Sequence, residues 1–408
     1  MEFLNQIGPI SIIIGAICAA VIFYKPYLGL LGMIFMIPLE PVLTFSSDFT
    51  AIKAVGIITF ASFGLHCLLR KETIEIDFRV LLPLIIFLIW ATVRLEVNYL
   101  KLLTLTQLIT FFVMISSICS SNNRRIDFVI WTFIIGCVVA TAMSSYGYLS
   151  NPALSARASV EAQNANEYAV IVSIAILLLL LVKTRFKGYK MLIPYGIAIL
   201  FIYGLIISAS RGAVVAISLS LLVYLIVNRN RLKSMANILI ICLLVGTILV
   251  VGLQTGIISE FSVKRIESTK SSEETTMAVR FAVWRVGWKM INDNFITGVG
   301  LGNFNVNFNK YADIVWRTGR DPHSVYVSVF AETGAIGFLI ALWFIGALSY
   351  TAMRTTSENK VFSLCILVFI AIVSLKGTYH MTKIFWFSIA SALLTHYPKD
   401  RKAQHKTG

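Results

Sequence analysis

Apolar positions along the chain gather into long runs, and polar positions fall mainly between them. Runs occur at 7–24, 27–45, 51–69, 80–93, 101–119, 126–149, 166–182, 191–209, 212–227, 236–253, 324–350, 361–375 and 382–397. Most approach the roughly 20 residues that an α-helix needs to cross a hydrocarbon core, so the pattern predicts about twelve or thirteen transmembrane helices. The run 80–93 and the last one are short, and 27–45 is interrupted by Pro38 and Pro41. The expected fold class is all-α, a polytopic membrane protein with one long loop. The first run has no basic stretch before it and no convincing cleavage site after it, and reads as a retained helix.

Basic residues in the short loops set the orientation. Lys183 to Lys190, Arg229 to Lys233, Arg354 to Lys360 and Lys399 to Lys402 carry most of them, and Arg70-Lys71 and Arg124-Arg125 fit the same side. Cytoplasmic loops carry such an excess, so these regions are assigned to the cytoplasm. Counting spans then puts 150–165, Ser210 to Gly212, 254–323 and Lys376 to Lys383 outside. With thirteen spans the N-terminus is outside, and with twelve it is inside.

Composition agrees: 57% of residues are hydrophobic and only 13% charged, too few to cover soluble domains. The net charge of +15 comes from 35 Lys and Arg against 20 Asp and Glu. Because the cations lie in loops between apolar runs, they speak for membrane orientation and against nucleic acid. Part of the excess also suits an anionic lipid or a diphosphate. The six cysteines lie in or beside apolar runs, without metal-type spacing, so neither a disulfide framework nor a zinc site is expected.

Residues 254–323 form a connection far longer than usual. Within it, Phe281, Trp284, Trp288, Ile291 and Phe295 recur at spacings of three and four, one aromatic stripe on a helix. That stripe predicts either a helix lying on the membrane surface, rings down, or one packed on the protein's own spans. Arg280 lies near one edge of the stripe and Lys289 almost opposite. No internal repeat of the transporter kind is apparent.

Three places carry candidate chemistry. Arg211, within Ser210-Arg211-Gly212, stands between two apolar runs at their outer ends, where holding a guanidinium needs a reason. An arginine snorkelling into headgroups is the bland explanation, but it favours the inner side. His323, in Asp321-Pro322-His323-Ser324, is the histidine of the long loop, and its neutral form can take a proton from an attacking hydroxyl. Asp321 is placed to orient it, although a lone histidine at a helix start is commonly a surface residue. Arg280 precedes Trp284 and the glycine run Gly298 to Gly302, which reads as a tight turn rather than a dinucleotide fingerprint. Arg211 and Arg280 together suit a diphosphate, since planar guanidinium forks match phosphate oxygens and need no metal. Glu161, Glu167 and Glu332 are single acids near the outer surface, so a metal-dependent transferase is disfavoured.

In chain order stand Asn164-Ala-Asn166-Glu167, Ser210-Arg-Gly-Ala213, Arg280-Phe-Ala-Val-Trp284, Gly298-Val-Gly-Leu-Gly-Asn-Phe304, His323-Ser-Val-Tyr326 and Glu332-Thr-Gly-Ala-Ile-Gly337. This set resembles the O-antigen ligase and O-antigen polymerase superfamily of bacterial inner membranes, over roughly 164–345. The resemblance implies a multi-pass glycosyltransferase of the GT-C type in the inner (plasma) membrane, its active site facing the periplasm. It implies transfer of a glycan from undecaprenyl diphosphate to lipid A–core in the ligases, to another lipid-linked repeat unit in the polymerases, and to protein hydroxyls in some relatives. It implies an inverting reaction with no cofactor and no metal. Arg211 and Arg280 match the family's diphosphate-contacting arginines, and His323 its essential loop histidine, proposed as base or acceptor-positioning group. Asn166 and Ser210 join the substrate-binding set with Trp284, Asn166 through the looser match.

The expected organisation is N-terminal helices over 1–160, a catalytic region over 161–350 with the long loop inside it, and C-terminal helices with a basic tail over 351–408. A flippase or transporter for the same lipid-linked glycan is the rival of another class. It accounts for the spans but not for a long outer loop ending in a histidine, and it should carry charges at mid-membrane depth. A structural scaffold leaves the outer arginines and histidine without a purpose. Between ligase and polymerase, the single outer loop of moderate length favours the ligase.

Overall fold

The computed structural model describes residues 9–46, 49–69, 71–93, 97–120, 123–150, 159–160, 164–182, 186, 188–227, 272–313, 319–354 and 357–394. The span expected at 236–253, the basic stretch at 229–233, the first part of the long loop and the C-terminal tail lie outside them.

Helices follow the apolar runs in order: α1 (Pro9–Tyr24), α2 (Pro26–Met36), α3 (Ala51–Leu68), α4 (Phe78–Ala91), α5 (Tyr99–Ser120), α6 (Asn123–Ser150), α7 (Ala165–Val182), α8 (Leu192–Ile207) and α9 (Arg211–Val227). The long loop contributes α10 (Ser272–Asp293) and α11 (Phe304–Tyr311), and three more follow: α12 (Val325–Met353), α13 (Ser357–Ser374) and α14 (Lys383–Leu394). The described chain is thus almost wholly helical, as expected; its one sheet is a two-stranded antiparallel hairpin, Thr44–Ser46 with Phe49–Thr50. Among the described residues, six helical segments are long and apolar enough to cross a membrane, and six shorter apolar ones accompany them. The interruption expected near Pro38 is real: α2 stops at Met36 and one turn of tighter helix, Ile37–Leu39, follows.

Local chemistry fixes several starts. Pro26 occupies the first turn of α2, where its missing N–H costs nothing. Asp77 caps α4, its carboxylate accepting the Arg79 N–H at 2.9 Å. Thr50 caps α3 more loosely, at 3.4 Å from the Lys53 N–H. Helix α7 is buried nearly all round and forms the axis of the bundle, as a helix apolar on every face must be. Aromatic rings knit the layers: Phe112 of α5 meets Phe344 of α12 and Trp386 of α14, with centroids 6.1 and 5.9 Å away. Phe133 of α6 lies against Phe387 at 4.4 Å.

The two ends of the bundle differ. At one end Arg125 pairs with Glu72 at 3.3 Å, the Thr351 hydroxyl donates to Asp77 at 3.3 Å, and Arg79 and Arg354 both lie over the Tyr350 ring. These belong to loops that the basic bias grouped on one side. The opposite end gathers the starts of α5, α7, α9, α12 and α14 with the packed part of the long loop.

That packing depends on a break in α12. Gly334 has φ +68 inside an otherwise helical run, so the turn around it loses its own backbone bonds. Other segments satisfy the freed groups. The Val299 and Gly300 N–H groups donate to the Ala331 and Glu332 carbonyls at 2.8 and 2.9 Å, and the Ala335 N–H to the Phe295 carbonyl at 2.7 Å. Trp90 of α4 donates its ring N–H to the Thr333 carbonyl at 2.9 Å. The Glu332 carboxylate, buried in this fold, accepts the Gly302 N–H at 2.9 Å. Such buried backbone groups must be paired, and here the glycine run does the pairing. A Cβ on Gly334 would lie 2.2 Å from the Ile296 carbonyl oxygen, and one on Gly298 2.4 Å from the Glu332 carbonyl carbon. Gly334→Ala is therefore expected to destabilise the protein by roughly 3 kcal/mol or more, through backbone strain and lost bonds together. Thermal unfolding of the purified variant checks this; an unchanged midpoint would remove the glycine lock from the account.

Candidate functional site

Each predicted residue reaches the same end of the bundle, by two routes. The first runs through α7 and α9. Ala209 takes the left-handed conformation, φ +49, which turns the chain sharply from α8 into α9 and leaves Arg211 as the first residue of the new helix. Buried Ser210 donates its hydroxyl to the Asn166 side-chain carbonyl at 3.0 Å, while the Asn166 N–H donates to Asn164 at 2.9 Å. Asn164, Asn166, Ser210 and Arg211 thus form one corner. Gly212 completes it: a Cβ there would lie 3.0 Å from the Lys376 side chain, which crosses above.

The second route runs through the long loop. The buried face of α10 carries Val283, Val286, Met290 and Ile291, packed with Phe304, Phe308 and Ala331 in a small separate core. The aromatic stripe lies beside that face. Phe281, Trp288 and Phe295 are 55%, 54% and 56% exposed, whereas Ile291 is 2% exposed. The three rings are therefore half-exposed, and Trp288 and Phe295 also touch Phe330 of α12, at 6.3 and 5.9 Å between centroids. Ile291 belongs to the core instead, because α11 and α12 cover its side of the helix. Trp284 is half-buried and donates its ring N–H to the Pro322 carbonyl at 2.9 Å. That bond anchors α10 to the turn bearing His323.

His323 itself has φ +48, a conformation costly for a residue with a Cβ. Strain of this kind collects where surrounding contacts over-determine a functional turn. The imidazole is exposed, with its pKa held below the usual histidine value, first by partial burial and then by the Arg280 and Arg320 charges, against which Asp321 pulls upward. Neutral imidazole therefore predominates at neutral pH, the form that accepts a proton. Asp321 thus acts on His323 through its charge. Removing one of the cations should raise the His323 pKa. Arg320→Gln is accordingly expected to move the acid limb of any His323-dependent activity to higher pH; a pH profile that does not move would separate that limb from His323.

The two routes meet at the turn before α14. Tyr379 lies within electrostatic reach of both Glu167 and Arg280, and its hydroxyl is held in the neutral form by burial and by Glu167. Lys383 pairs with Glu40. Lys101, near the start of α5, packs its stem on Gly302 and acts on Glu332 and His380. Lys101, Lys376, Lys383, Tyr379 and His380 were not singled out from sequence. The last four lie in a stretch assigned to the outside, and the signal that exposed Arg211, a cation at the outer end of a span, applied to the lysines too. Among the described residues, no group of three or more His, Cys, Asp or Glu side chains comes together as a metal site.

Cations at helix starts oppose the helix dipole, which there favours an anion. Arg211 and Lys383 are first residues of α9 and α14, and Lys101 lies in the first turn of α5. The fold and this end of it define a class: a multi-pass helical membrane protein with a basic, arginine- and histidine-bearing site at one end of its bundle. Residues 196–342 match the family model described as O-antigen ligase, in agreement with the resemblance carried by the motifs. The matched region includes Ser210, Arg211, Arg280, Trp284 and His323 and begins after Asn166, and the family is one of glycosyltransferase-like enzymes. A comparison with curated proteins gave no match.

Proposed function

We propose that the protein transfers a glycan from undecaprenyl diphosphate to an acceptor hydroxyl at the periplasmic face of a bacterial inner membrane, as an O-antigen ligase with lipid A–core as acceptor. The observation that carries this reading is Arg280 acting on His323 within a turn tied to α10 by Trp284. It brings a permanent cation and a neutral imidazole to one place. Arg211 and Arg280 hold the donor diphosphate, with Ser210 and Asn166 shaping the Arg211 corner and Trp284 the donor entrance. As the glycosidic C1–O bond breaks, both arginines stabilise the charge growing on the leaving diphosphate. His323 takes the proton from the acceptor hydroxyl, whose oxygen attacks C1 from the opposite face and inverts it. Positioning and fixed charge carry the chemistry in this scheme, without a metal.

The catalytic unit is 161–350, framed by the helices before and after it. Purified protein in detergent, given the lipid-linked glycan, tests the reading with two acceptors side by side. Product on lipid A–core is the expected result. A ladder on a second lipid-linked unit would make it a polymerase. No transfer to either, with glycan crossing vesicles instead, would replace the enzyme by a transporter.

A further inference from the structure

Arg211 and Arg280 arrive by separate routes, and one short segment approaches both. It is the connection from α13 to α14, residues 375–382. On the Arg211 side it carries Lys376, whose side chain crosses the next residue of α9: a Cβ on Gly212 would lie 3.0 Å from its Cδ and 3.6 Å from its Nζ. On the His323 side, Tyr326 donates its hydroxyl to the Ala371 carbonyl at 3.0 Å, which ties the start of α12 to the last turn of α13. Tyr379 then stands within electrostatic reach of Arg280 on α10 and of Glu167, the neighbour of Asn166.

The connection is held by its own bonds. The Lys376 N–H donates to the Val373 carbonyl at 2.9 Å and the Thr382 N–H to the Tyr379 carbonyl at 2.8 Å, while Trp386 donates its ring N–H to the His380 carbonyl at 2.8 Å. The Tyr379 ring lies against Gly377, where a Cβ would stand 2.4 Å from its Cε2 and 2.7 Å from its Cζ. Two polar groups on this fixed segment have no described partner. Lys376 is exposed, and no described carboxylate pairs with it. The Tyr379 hydroxyl bonds to no described residue and is not sealed from solvent. Burial and Glu167 keep that hydroxyl neutral, so it has a proton to donate. An ammonium, a hydroxyl and two guanidinium groups from three directions suit an anion with many oxygens.

We propose that this connection is the third wall of the diphosphate site: the Tyr379 hydroxyl donates to an oxygen of the phosphate held by Arg280, and the Lys376 ammonium pairs with the phosphate held by Arg211. The proposal rests on the donor assignment above. It supplies a segment that brings the two arginine corners onto one diphosphate.

Calorimetric titration of the full-length protein with farnesyl diphosphate, a short soluble polyprenyl diphosphate, tests it. Tyr379→Phe removes one oxygen and keeps the ring on Gly377. It is expected to weaken binding about tenfold, as loss of a hydrogen bond to a charged group does. Lys376→Gln, a change at an exposed residue that spares folding, should weaken binding about threefold to fivefold and flatten its salt dependence. Lys190→Gln, in a loop assigned to the cytoplasm, should bind like the wild type. Thermal midpoints without ligand should match the wild type in all three, which separates lost binding from lost folding. Wild-type affinity in Tyr379→Phe or Lys376→Gln overturns the proposal, as does a wild type that does not bind farnesyl diphosphate. Displacement of the probe by equimolar phosphatidylglycerol would make the segment a headgroup site and overturns it too. If any of these occurs while the wild type transfers glycan, the functional reading stands without the third wall. If the variants behave as expected and the wild type transfers no glycan, the third wall stands and the transferase reading falls.

Discussion

Replacing Arg280 by glutamine is expected to lower glycan transfer by about a hundredfold to a thousandfold, with the protein still folded. The size follows from its place. Removing one preorganised group that stabilises transition-state charge costs about that much in other enzymes, and Arg280 acts on both His323 and Tyr379. Arg280→Lys should recover only part of the rate, because an ammonium keeps the charge but not the planar fork that grips two phosphate oxygens. Arg285 supplies the control. It lies on the same helix, is exposed, and acts on Asp313 rather than on the histidine turn. Arg285→Gln should stay within about twofold of wild type, as surface substitutions usually do. Transfer rates of the three purified variants decide the matter, and a wild-type rate for Arg280→Gln would remove the diphosphate role.

The second large effect is expected at His323, where loss of a general base costs about 10² to 10⁴ in rate. Asparagine is the informative substitution. It tolerates the left-handed backbone that His323 adopts, so folding is spared, but it takes up no proton near neutral pH. Trp284 still bonds to the Pro322 carbonyl in that variant, because the bond is to backbone. A full loss of turnover with donor binding retained would assign the proton transfer to His323. Retained turnover would make the residue an acceptor-positioning group.

Much of this arrangement is legible in the sequence because charge in apolar surroundings is conspicuous. Arg211 and His323 stand out from their neighbours without any structure. The aromatic stripe of α10 was visible too, yet a second apolar series, Val283, Val286 and Met290, has the same helical period. Only the partners Phe304 and Phe308 decide which face turns inward. The break in α12 was hidden for another reason. A glycine inside an apolar run is tolerated in most helices, and Gly334 shows its role only when Ile296 and Gly298 approach it. Lys101 and His380 were hidden because their meaning lies in contacts between α5 and the turn before α14, which no local pattern encodes. Asn166 and Ser210 fall between these cases. Their motifs were readable, but the 3.0 Å bond joining them was not.

In the proposed reaction the glycosidic C1–O bond breaks while the arginines keep the diphosphate whole. Its most direct test is the lipid product formed by purified wild-type protein turning over the lipid-linked glycan. Free polyprenyl diphosphate is the expected product, appearing one for one with glycosylated acceptor. Polyprenyl monophosphate together with a phosphoglycan would contradict it, because the bond broken would then lie between the phosphates.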